Sequence, residues 1–473
     1  MVAAIFPPIA GFTVTFWTSA ISGVTPHRSP LSGLRVVVTP PPPHFFGGLD
    51  RRRADDHAAA LRKLGAKVHE FFTEAVYRND KPALSRQIAE IHAFSPDVAI
   101  GTPHGGYAIQ GGMIADPHGD GANRNLFLDI LEVPTIVYWD HVLTQAPRYL
   151  MPSWPSCPQE SVPDVVARLQ HLFTHPLAVH FFPDSGHVAE LKRMGIASFD
   201  DDAVFVTAVS QLFVQHGAEA KGAPVRPEQL AFFGNLYLAA TSDIAYASDP
   251  SLAEVRRQAL ARCAADWDLP AVGAYVRTIA ALPPEQRANL KLDPDQSFFW
   301  RFLHDELSIA ANGQRRFDIL AGCNRPVAFY GGFADPASAA AIAGRQWLVR
   351  ESLPHDRSLA EAYRSARVTI DVVNAPFING FSPKLLECFA AGGFLLTTRK
   401  KDVNGAFGDL GDAIGYSSAG ELEAKIDHFL GHETERRSIM REVQEIIGRD
   451  HTAAALFART VPAAIDRIRA RRR

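Results

Sequence analysis

The sequence is poor in cysteine and has no excess of charge of either sign. Its 473 residues include four cysteines, at positions 157, 263, 323 and 388, and no two of them form a CxxC pair. This pattern argues against a zinc knuckle, a thioredoxin-like motif or a disulfide framework, and it is typical of a reducing compartment. Lys and Arg number 48 against 51 Asp and Glu, a net charge of −3. We therefore expect no nucleic-acid partner, because such a partner selects a basic surface.

Long uninterrupted hydrophobic runs are also missing. Residues 1–26 carry no charged side chain, but prolines at positions 7 and 8, together with Thr, Ser and Gly, interrupt the apolar residues. The stretch lacks the basic n-region of a secretory signal and is too polar for a membrane-spanning helix. We expect residues 1–30 to be an N-terminal extension and the protein to be cytoplasmic.

Short apolar runs alternate with helical segments along the first half of the chain. Five runs predict strands: 34–39, 66–72, 97–101, 133–139 and 177–182. Three segments predict helices: 55–64, 81–94 and 187–194. This alternation is typical of βαβ units around a parallel sheet.

A second series of the same kind begins near residue 230. Five runs predict strands: 230–234, 327–330, 347–350, 368–373 and 394–398. Three segments predict helices: 316–320, 359–366 and 383–391. The series is interrupted by a mostly helical pattern at 250–311, which predicts an insertion.

The two series predict an α/β protein with two doubly wound, Rossmann-like domains in tandem. We expect an N-terminal domain over 31–225 and a C-terminal domain over 226–450, joined by a linker at 218–227 that is rich in Gly, Pro and charge. Residues 451–473 form a final helix and a basic tail. Ligands of such domains bind at the carboxyl ends of the strands and between the domains.

The most informative segment is 374–393, which reads as strand end, polar loop, helix and glycine turn. Ser382 suits the N-cap of the helix and Pro383 its first position, which leaves free backbone N–H groups that can hold a diphosphate. Lys384 adds a positive charge at this helix start. Glu387, one turn further on, is placed to accept hydrogen bonds from ribose hydroxyls.

The segment from Val327 to about Thr452 resembles the C-terminal half of GT-B glycosyltransferases, most of all the spore-maturation CgeB-like group. The matching pieces are Phe329-Tyr-Gly-Gly332, Ser382–Gly393, Phe394–Thr397, Asp402–Phe407, Tyr416-Ser-Ser418 with Glu421, His432–Arg437 and His451-Thr452. The resemblance implies a GT-B fold in which two Rossmann-like domains face a cleft. It further implies that the C-terminal domain holds a nucleotide-sugar donor, that the N-terminal domain holds the acceptor, and that the final helices cross back to the first domain.

The resemblance also implies roles for single residues. Glu387 stands where the family's glutamate grips the ribose, and Lys384 where an arginine is usual, so the charge is kept but the bidentate fork is lost. Asn379 stands where retaining relatives carry a second glutamate, so the chain either does not use that pair or is not a retaining enzyme of that type. The donor-side residues are then Glu387, Lys384, Ser382, Asn379, Gly331, Gly332 and Arg316.

Basic residues that can neutralise a leaving diphosphate are Arg316, Lys384, Arg399 and Lys400. No DxD-type metal site is required in this fold, so we expect neither a metal nor a cofactor.

Polar residues after the strands of the first domain are the acceptor-side candidates. Gly47 and Gly48 follow the first strand, His104 follows the third, and Asp140 and His141 follow the fourth. An inverting transferase needs a base within hydrogen-bond reach of the acceptor hydroxyl, with a pKa near the working pH. We assign this catalytic role to Asp140 and His104.

Several of these features have a structural alternative. Glu387 can be a solvated helix residue, His104 a loop histidine bonded to backbone, and Asp140 a capping residue. The loop at 116–120, with two aspartates and a histidine, is a polar turn rather than a metal site. The arginines of 467–473 can fray in solvent or contact an anionic membrane surface.

We predict a glycosyltransferase that moves a sugar from a nucleoside-diphosphate donor to a hydroxyl of a glycan, lipid or protein, without a metal ion. One alternative is a non-catalytic protein of this fold that binds a sugar nucleotide or serves as a scaffold. Another is a sugar-nucleotide epimerase, which product analysis by mass would distinguish from a transferase.

Overall fold

The computed structural model describes residues 29–41, 49–78, 80–101, 125–139, 171–188, 208–219, 227–236, 250–267, 269, 271–289, 311–333, 336–342, 345–374 and 377–472.

The first half of the described chain forms a five-stranded parallel sheet in the order β2-β1-β3-β4-β5. Its strands are β1 Arg35–Val38, β2 Lys67–Glu70, β3 Val98–Gly101, β4 Thr135–Tyr138 and β5 Ala178–Phe181. Val36 pairs with Val68 of β2 on one side and with Val98 of β3 on the other. Strand β1 is therefore an interior strand, and its valines are almost fully buried, as in parallel sheets covered on both faces.

Helices flank this sheet. They are α1 Leu49–Lys63, α2 Glu74–Tyr77 and α3 Lys81–Phe94, and a π-helical turn follows at Leu126–Ile130. Helix α3 has the predicted bounds because Asp80 caps it, its Oδ1 accepting from Ala83 N at 3.0 Å. Helix α1 begins at Leu49 rather than at the predicted Asp55. The prediction missed its first turns because their charged residues show no apolar periodicity. The predicted helix at 187–194 lies within the described residues only to position 188.

The second half forms a six-stranded parallel sheet in the order β11-β10-β9-β6-β7-β8. Its strands are β6 Glu228–Phe233, β7 Val327–Tyr330, β8 Trp347–Arg350, β9 Ala366–Asp371, β10 Leu395–Thr398 and β11 Gly415–Tyr416. The order reverses direction between β6 and β9. In such sheets the crevice outside the carboxyl ends at this point is where ligands bind.

The helices of this half are α4 Gln211–Glu219, α5 Pro250–Ala265, α6 Ala271–Ala281, α7 Pro284–Asn289, α8 Asn312–Ala321, α9 Pro336–Ile342, α10 Arg357–Ser365, α11 Pro383–Ala390, α12 Lys401–Phe407, α13 Asp409–Ile414, α14 Ala419–Gly431, α15 Glu433–Asp450 and α16 Ala453–Arg471. The described part of the 250–311 insertion is helical, as the sequence predicts. Helix α4 was not predicted. It packs into the second core through Phe213, so the segment expected to be a linker begins inside a helix.

Two separate hydrophobic cores surround the two sheets. The prediction of two Rossmann-like α/β domains is confirmed, while the domain limits drawn from the sequence remain predictions. Helix α16 follows the second sheet in the chain but packs on the first, where Leu456, Phe457 and Val461 are buried in the first core. Thr460 Oγ1 lies 2.5 Å from the hydroxyl of Tyr138 at the end of β4.

Among the described residues, no helix combines the length and the apolar character needed to cross a bilayer.

Candidate functional site

Two glycines fix the loop that leaves β6 at the switch point of the second sheet. A Cβ on Gly331 would lie 2.0 Å from the carbonyl oxygen of Gly234, so only glycine permits this approach. Gly234 itself has φ +151, outside the range of most side-chain-bearing residues. The N–H of Gly332 donates to Asn235 Oδ1 at 2.9 Å. The loops after β6 and β7 are thereby held together.

Arg316 on α8 joins the loops after β6 and β9. Its Nη1 donates to Asn235 O at 2.7 Å and its Nη2 to Asn374 Oδ1 at 2.5 Å. Asn374 Oδ1 also accepts from Asn312 Nδ2 at 2.9 Å. The guanidinium carbon lies 5.7 Å from the centre of the Phe232 ring, a favourable position for a cation. A buried arginine is thus fixed at the switch point, where a diphosphate would need positive charge.

Helix α11 begins at the same crevice. Ser382 is its N-cap, with the side-chain oxygen accepting from Lys384 N at 3.3 Å, and Pro383 occupies the first turn. The remaining N–H groups of the first turn have no partner within the helix, and the helix dipole favours an anion in front of them. The predicted capped helix start is therefore present.

Lys384 forms an ion pair inside the protein. Its Nζ lies 2.9 Å from Asp371 Oδ1 and donates to Phe233 O at 3.0 Å. The Asp371 side chain is 1% exposed and that of Lys384 is 20% exposed. Burial lowers the pKa of the Lys384 ammonium, and the carboxylate of Asp371 opposes that shift. The charge of Lys384 therefore ties α11 to the end of β9.

Glu387 is buried one turn beyond the start of α11, with 4% of its surface exposed. None of the described residues forms a hydrogen bond or ion pair with its carboxylate. Its charged or titratable neighbours include Lys384 and His355. A largely buried carboxylate with no hydrogen-bond donor from the described residues suits a ligand that supplies donors.

His355, between β8 and α10, lies beside Glu387. Burial lowers the pKa of His355; Glu387 raises it, and Arg53, Arg52 and Lys384 lower it. Its Nδ1 is buried without a hydrogen-bond partner. Arg52 on α1 donates to the backbone oxygen of His355. The first turn of α1 thus brings the first domain against the Glu387 side of the crevice.

Asn379 lies at a contact between the domains. Its Nδ2 donates to Ser185 Oγ at 2.8 Å, and its backbone N–H donates to Asp184 Oδ1 at 3.0 Å. Ser185 in turn donates to Asp402 from its N–H at 2.9 Å and from its hydroxyl at 2.8 Å. Burial, with a smaller contribution from Asp184, raises the pKa of Asp402 to about 6. The side chain expected on the donor side is here engaged by the first domain.

The two other basic candidates also have protein partners. Arg399 Nη2 donates to Glu421 Oε1 at 2.6 Å. Lys400 is 5% exposed and its Nζ donates to Ile378 O at 3.4 Å. Of the four predicted cations, Arg316 and Lys384 lie at the switch point.

The acceptor-side predictions fall outside the described residues. These are Gly47, Gly48, His104, Asp140 and His141, together with the loop at 116–120. The structure also brings to the switch-point crevice groups that the sequence analysis does not single out. Asp371 is the last residue of β9 and Asn374 follows the strand, so their only sequence signal is their place at a strand end. His355 and Asn235 carry no signal.

Residues 325–461 match the model of a protein family described as "Glycosyl transferase-like". This segment contains Lys384 and Glu387 and runs from the start of β7 into α16. A comparison with curated protein sequences finds no significant match.

Similar solved structures include three glycosyltransferases. An α-glucosyltransferase in complex with UDP and a 13-mer DNA containing an HMU base is 8% identical, covers 92% of this chain and 100% of its own, and has a TM-score of 0.47. A glycosyltransferase from Rickettsia africae ESF-5 is 10% identical, with coverage of 92% and 98% and a TM-score of 0.45. The T4 phage BGT in complex with UDP and Mn2+ is 10% identical, with coverage of 92% and 99% and a TM-score of 0.43. The Rossmann-like assignment rests on this chain's own strand order.

Proposed function

We propose that the protein is a GT-B glycosyltransferase of the CgeB-like kind that uses a nucleoside-diphosphate sugar as donor. The observation that carries this proposal is the buried carboxylate of Glu387, which has no hydrogen-bond donor among the described residues and lies one turn from a capped helix start. The match of residues 325–461 to a glycosyl transferase-like family supports the same assignment.

The donor binds across the carboxyl ends of β6 and β9. Glu387 accepts hydrogen bonds from the ribose hydroxyls, and the first turn of α11 receives the diphosphate. Arg316 is the cation that we place on the diphosphate, because Asn235 O and Asn374 Oδ1 hold its guanidinium at the switch point. Lys384 would have to leave Asp371 to reach it, so its main role is to hold α11 in position.

Transfer is a direct displacement at the anomeric carbon. An acceptor hydroxyl of a glycan, lipid or protein, bound by the first domain, attacks that carbon while a base takes its proton, and the bond to the diphosphate breaks. The base is Asp140 or His104. The helix start and Arg316 stabilise the negative charge on the leaving diphosphate, so this mechanism requires no metal ion. We propose no cofactor, and the net charge of −3 is the reason that we propose no nucleic-acid partner.

A non-catalytic sugar-nucleotide-binding protein is the alternative, and one observation favours it. Asn379, which stands where retaining relatives carry a glutamate, is engaged by Ser185 at the domain contact. This alternative predicts nucleotide binding without donor hydrolysis or sugar transfer. After incubation with the matching sugar nucleotide, mass analysis detects a transferred or hydrolysed sugar, and chromatographic separation of isomers of equal mass detects an epimerase; a non-catalytic protein gives neither product.

The first experiment is a thermal-shift panel of UDP, GDP, ADP, TDP and CMP. A ligand at about 100 times its dissociation constant adds about 2.7 kcal/mol to stability, which is readily seen as a rise in Tm. We expect one nucleoside diphosphate to stabilise the wild type and Glu387→Gln to lose that response. Glu445→Gln, at an exposed position on α15, is the matched control and should respond like the wild type. No response to any nucleotide by the folded wild type would refute the donor site.

A further inference from the structure

A cluster of two histidines and one aspartate lies at the amino ends of two neighbouring strands of the first sheet. Asp129 precedes β4, and His171 and His175 precede β5, so all three lie at the amino ends of these strands. Their ligand atoms all lie within 4.8 Å of one another. Within the described residues, no other group of His, Cys, Asp and Glu side chains converges in this way.

We propose that Asp129, His171 and His175 bind a divalent transition-metal ion of the zinc class. Asp129 Oδ1 lies 2.9 Å from His171 Nε2 and 3.5 Å from His175 Nε2. Ligand atoms bound to a tetrahedral Zn2+ at about 2.0–2.1 Å are about 3.3 Å apart. The two separations from Asp129 Oδ1 are therefore already near those that one shared ion imposes, and all three ligand atoms lie within 4.8 Å of one another.

The local structure prepares these side chains for ligation. The other carboxylate oxygen of Asp129 accepts from the N–H of Asn125 at 2.6 Å, which orients Oδ1 toward the histidines. His171 and His175 are four residues apart, at and just after a helical turn at 171–174, and their rings meet edge to face at 5.3 Å. Asp129 and His175 are 15% and 14% exposed, so two of the three ligands are already largely shielded from water.

The site is open on one side. A cavity of about 510 Å³ adjoins it, lined by the three ligands together with Leu128, Glu132 and Arg472. Three protein ligands and an open position, filled by water or a small anion, match Zn2+ sites of the open type. Two imidazoles and one carboxylate suit first-row transition ions rather than Mg2+ or Ca2+, which prefer oxygen ligands.

Ion binding replaces the hydrogen bond between His171 Nε2 and Asp129 Oδ1 at 2.9 Å, and it has one further local cost. The N–H of Leu177 donates to His175 Nδ1 at 3.2 Å, and coordination through Nε2 would place the imidazole proton on Nδ1. That contact is lost when the ion binds. In return, the ion links the turn before β4 to the segment before β5. The three ligands precede strands of the first sheet, whereas Glu387 lies on α11 beside the second sheet, so we assign the ion no part in the proposed sugar transfer.

The test is a titration of Zn2+ into metal-stripped full-length protein that carries no histidine tag, with the heat of binding measured by isothermal calorimetry. We expect one ion per chain and a rise in Tm in the presence of Zn2+. His171→Ala should weaken Zn2+ binding by at least about tenfold. His171 is 55% exposed, so this variant is expected to fold. Asp129→Asn should weaken binding in the same way.

The matched control is His432→Ala. His432 and His428 are also four residues apart on a helix, with rings stacked at 4.1 Å, and Glu435 lies 2.8 Å from His428. The control should bind Zn2+ like the wild type. Absence of Zn2+ binding to the wild type, or undiminished binding to His171→Ala, would overturn the proposal and leave an ordinary hydrogen bond between His171 and Asp129. The rise in Tm caused by the nucleotide, and its loss in Glu387→Gln, are independent of either outcome.

Discussion

The ion pair between Lys384 and Asp371 offers a sharp test of what the lysine at the start of α11 does. Asp371 is almost completely buried, and its Oδ2 also accepts from Thr397 at 3.1 Å. Lys384→Met removes the cation and leaves a buried carboxylate. Breaking a buried pair in this way costs about 3–5 kcal/mol. We expect about 3 kcal/mol, because the lysine side chain is 20% exposed.

The assay is thermal or urea unfolding of three variants. A loss of about 3 kcal/mol corresponds to roughly 6–12 °C in Tm for a domain of about 150–250 residues. The double variant Lys384→Met with Asp371→Asn removes both charges and keeps an amide oxygen for Thr397. It should recover most of the loss, because replacing a whole buried pair is often neutral. Lys401→Met, at an exposed position, should change Tm little.

Nucleotide binding by the double variant then separates two roles for Lys384. If the lysine holds α11 in place, the stable double variant binds the selected nucleoside diphosphate within a few-fold of the wild type. A stable double variant that has lost the nucleotide would show that Lys384 touches the diphosphate itself. A double variant no more stable than Lys384→Met would refute the ion-pair reasoning altogether.

Three further predictions follow from single positions. Because burial raises the pKa of Asp402 from 3.8 to about 6, its contribution to stability is fully present below about pH 4 and is lost as the pH rises through about 6. The free energy of unfolding of Asp402→Asn, measured in urea, should therefore rise relative to that of the wild type by on the order of 3 kcal/mol between pH 4 and pH 7. Equal pH profiles of the two proteins would contradict this. Gly331→Ala should lower the free energy of unfolding by on the order of 1–3 kcal/mol, because its Cβ would lie 2.0 Å from Gly234 O. The nearest atom to a Cβ on Gly332 is 3.4 Å away, so Gly332→Ala should lose less stability in the same assay. Burial raises the pKa of Cys323 to about 12, so its alkylation by iodoacetamide, followed by peptide mass spectrometry, should be slow in the folded protein and fast in urea; rapid labelling of the folded protein would be the contrary result.

The strands and the donor-side helix were readable from sequence because their signals are local. β-branched runs such as Val36–Val38 predict a buried strand wherever they occur, and Ser382 followed by Pro383 predicts a helix start. The start of α1 at Leu49 could not be predicted because the charged residues of its first turns show no apolar periodicity. Helix α4 was not predicted, because the charged and glycine-rich segment that follows it indicated a linker.

The pairings across the fold could not be read from sequence. The sequence predicts Lys384 at the diphosphate but does not show its ion pair with Asp371, which forms because β9 ends and α11 begins at the same crevice. Asn379 meets Ser185 only because the two domains touch. Such contacts depend on the sheet order and the domain contact, which no local pattern encodes.

The path of α16 has a consequence for how the protein is made. The core of the first domain includes side chains of residues 453–468, which leave the ribosome only after the whole second domain has been synthesised. Domains that are continuous in sequence can fold one after another as they emerge. Here the first sheet is translated early but must wait for its last packing partner. A chain that stops before α16 would expose the apolar surface that Leu456, Phe457 and Val461 cover, so the first domain depends on the end of translation for its stability.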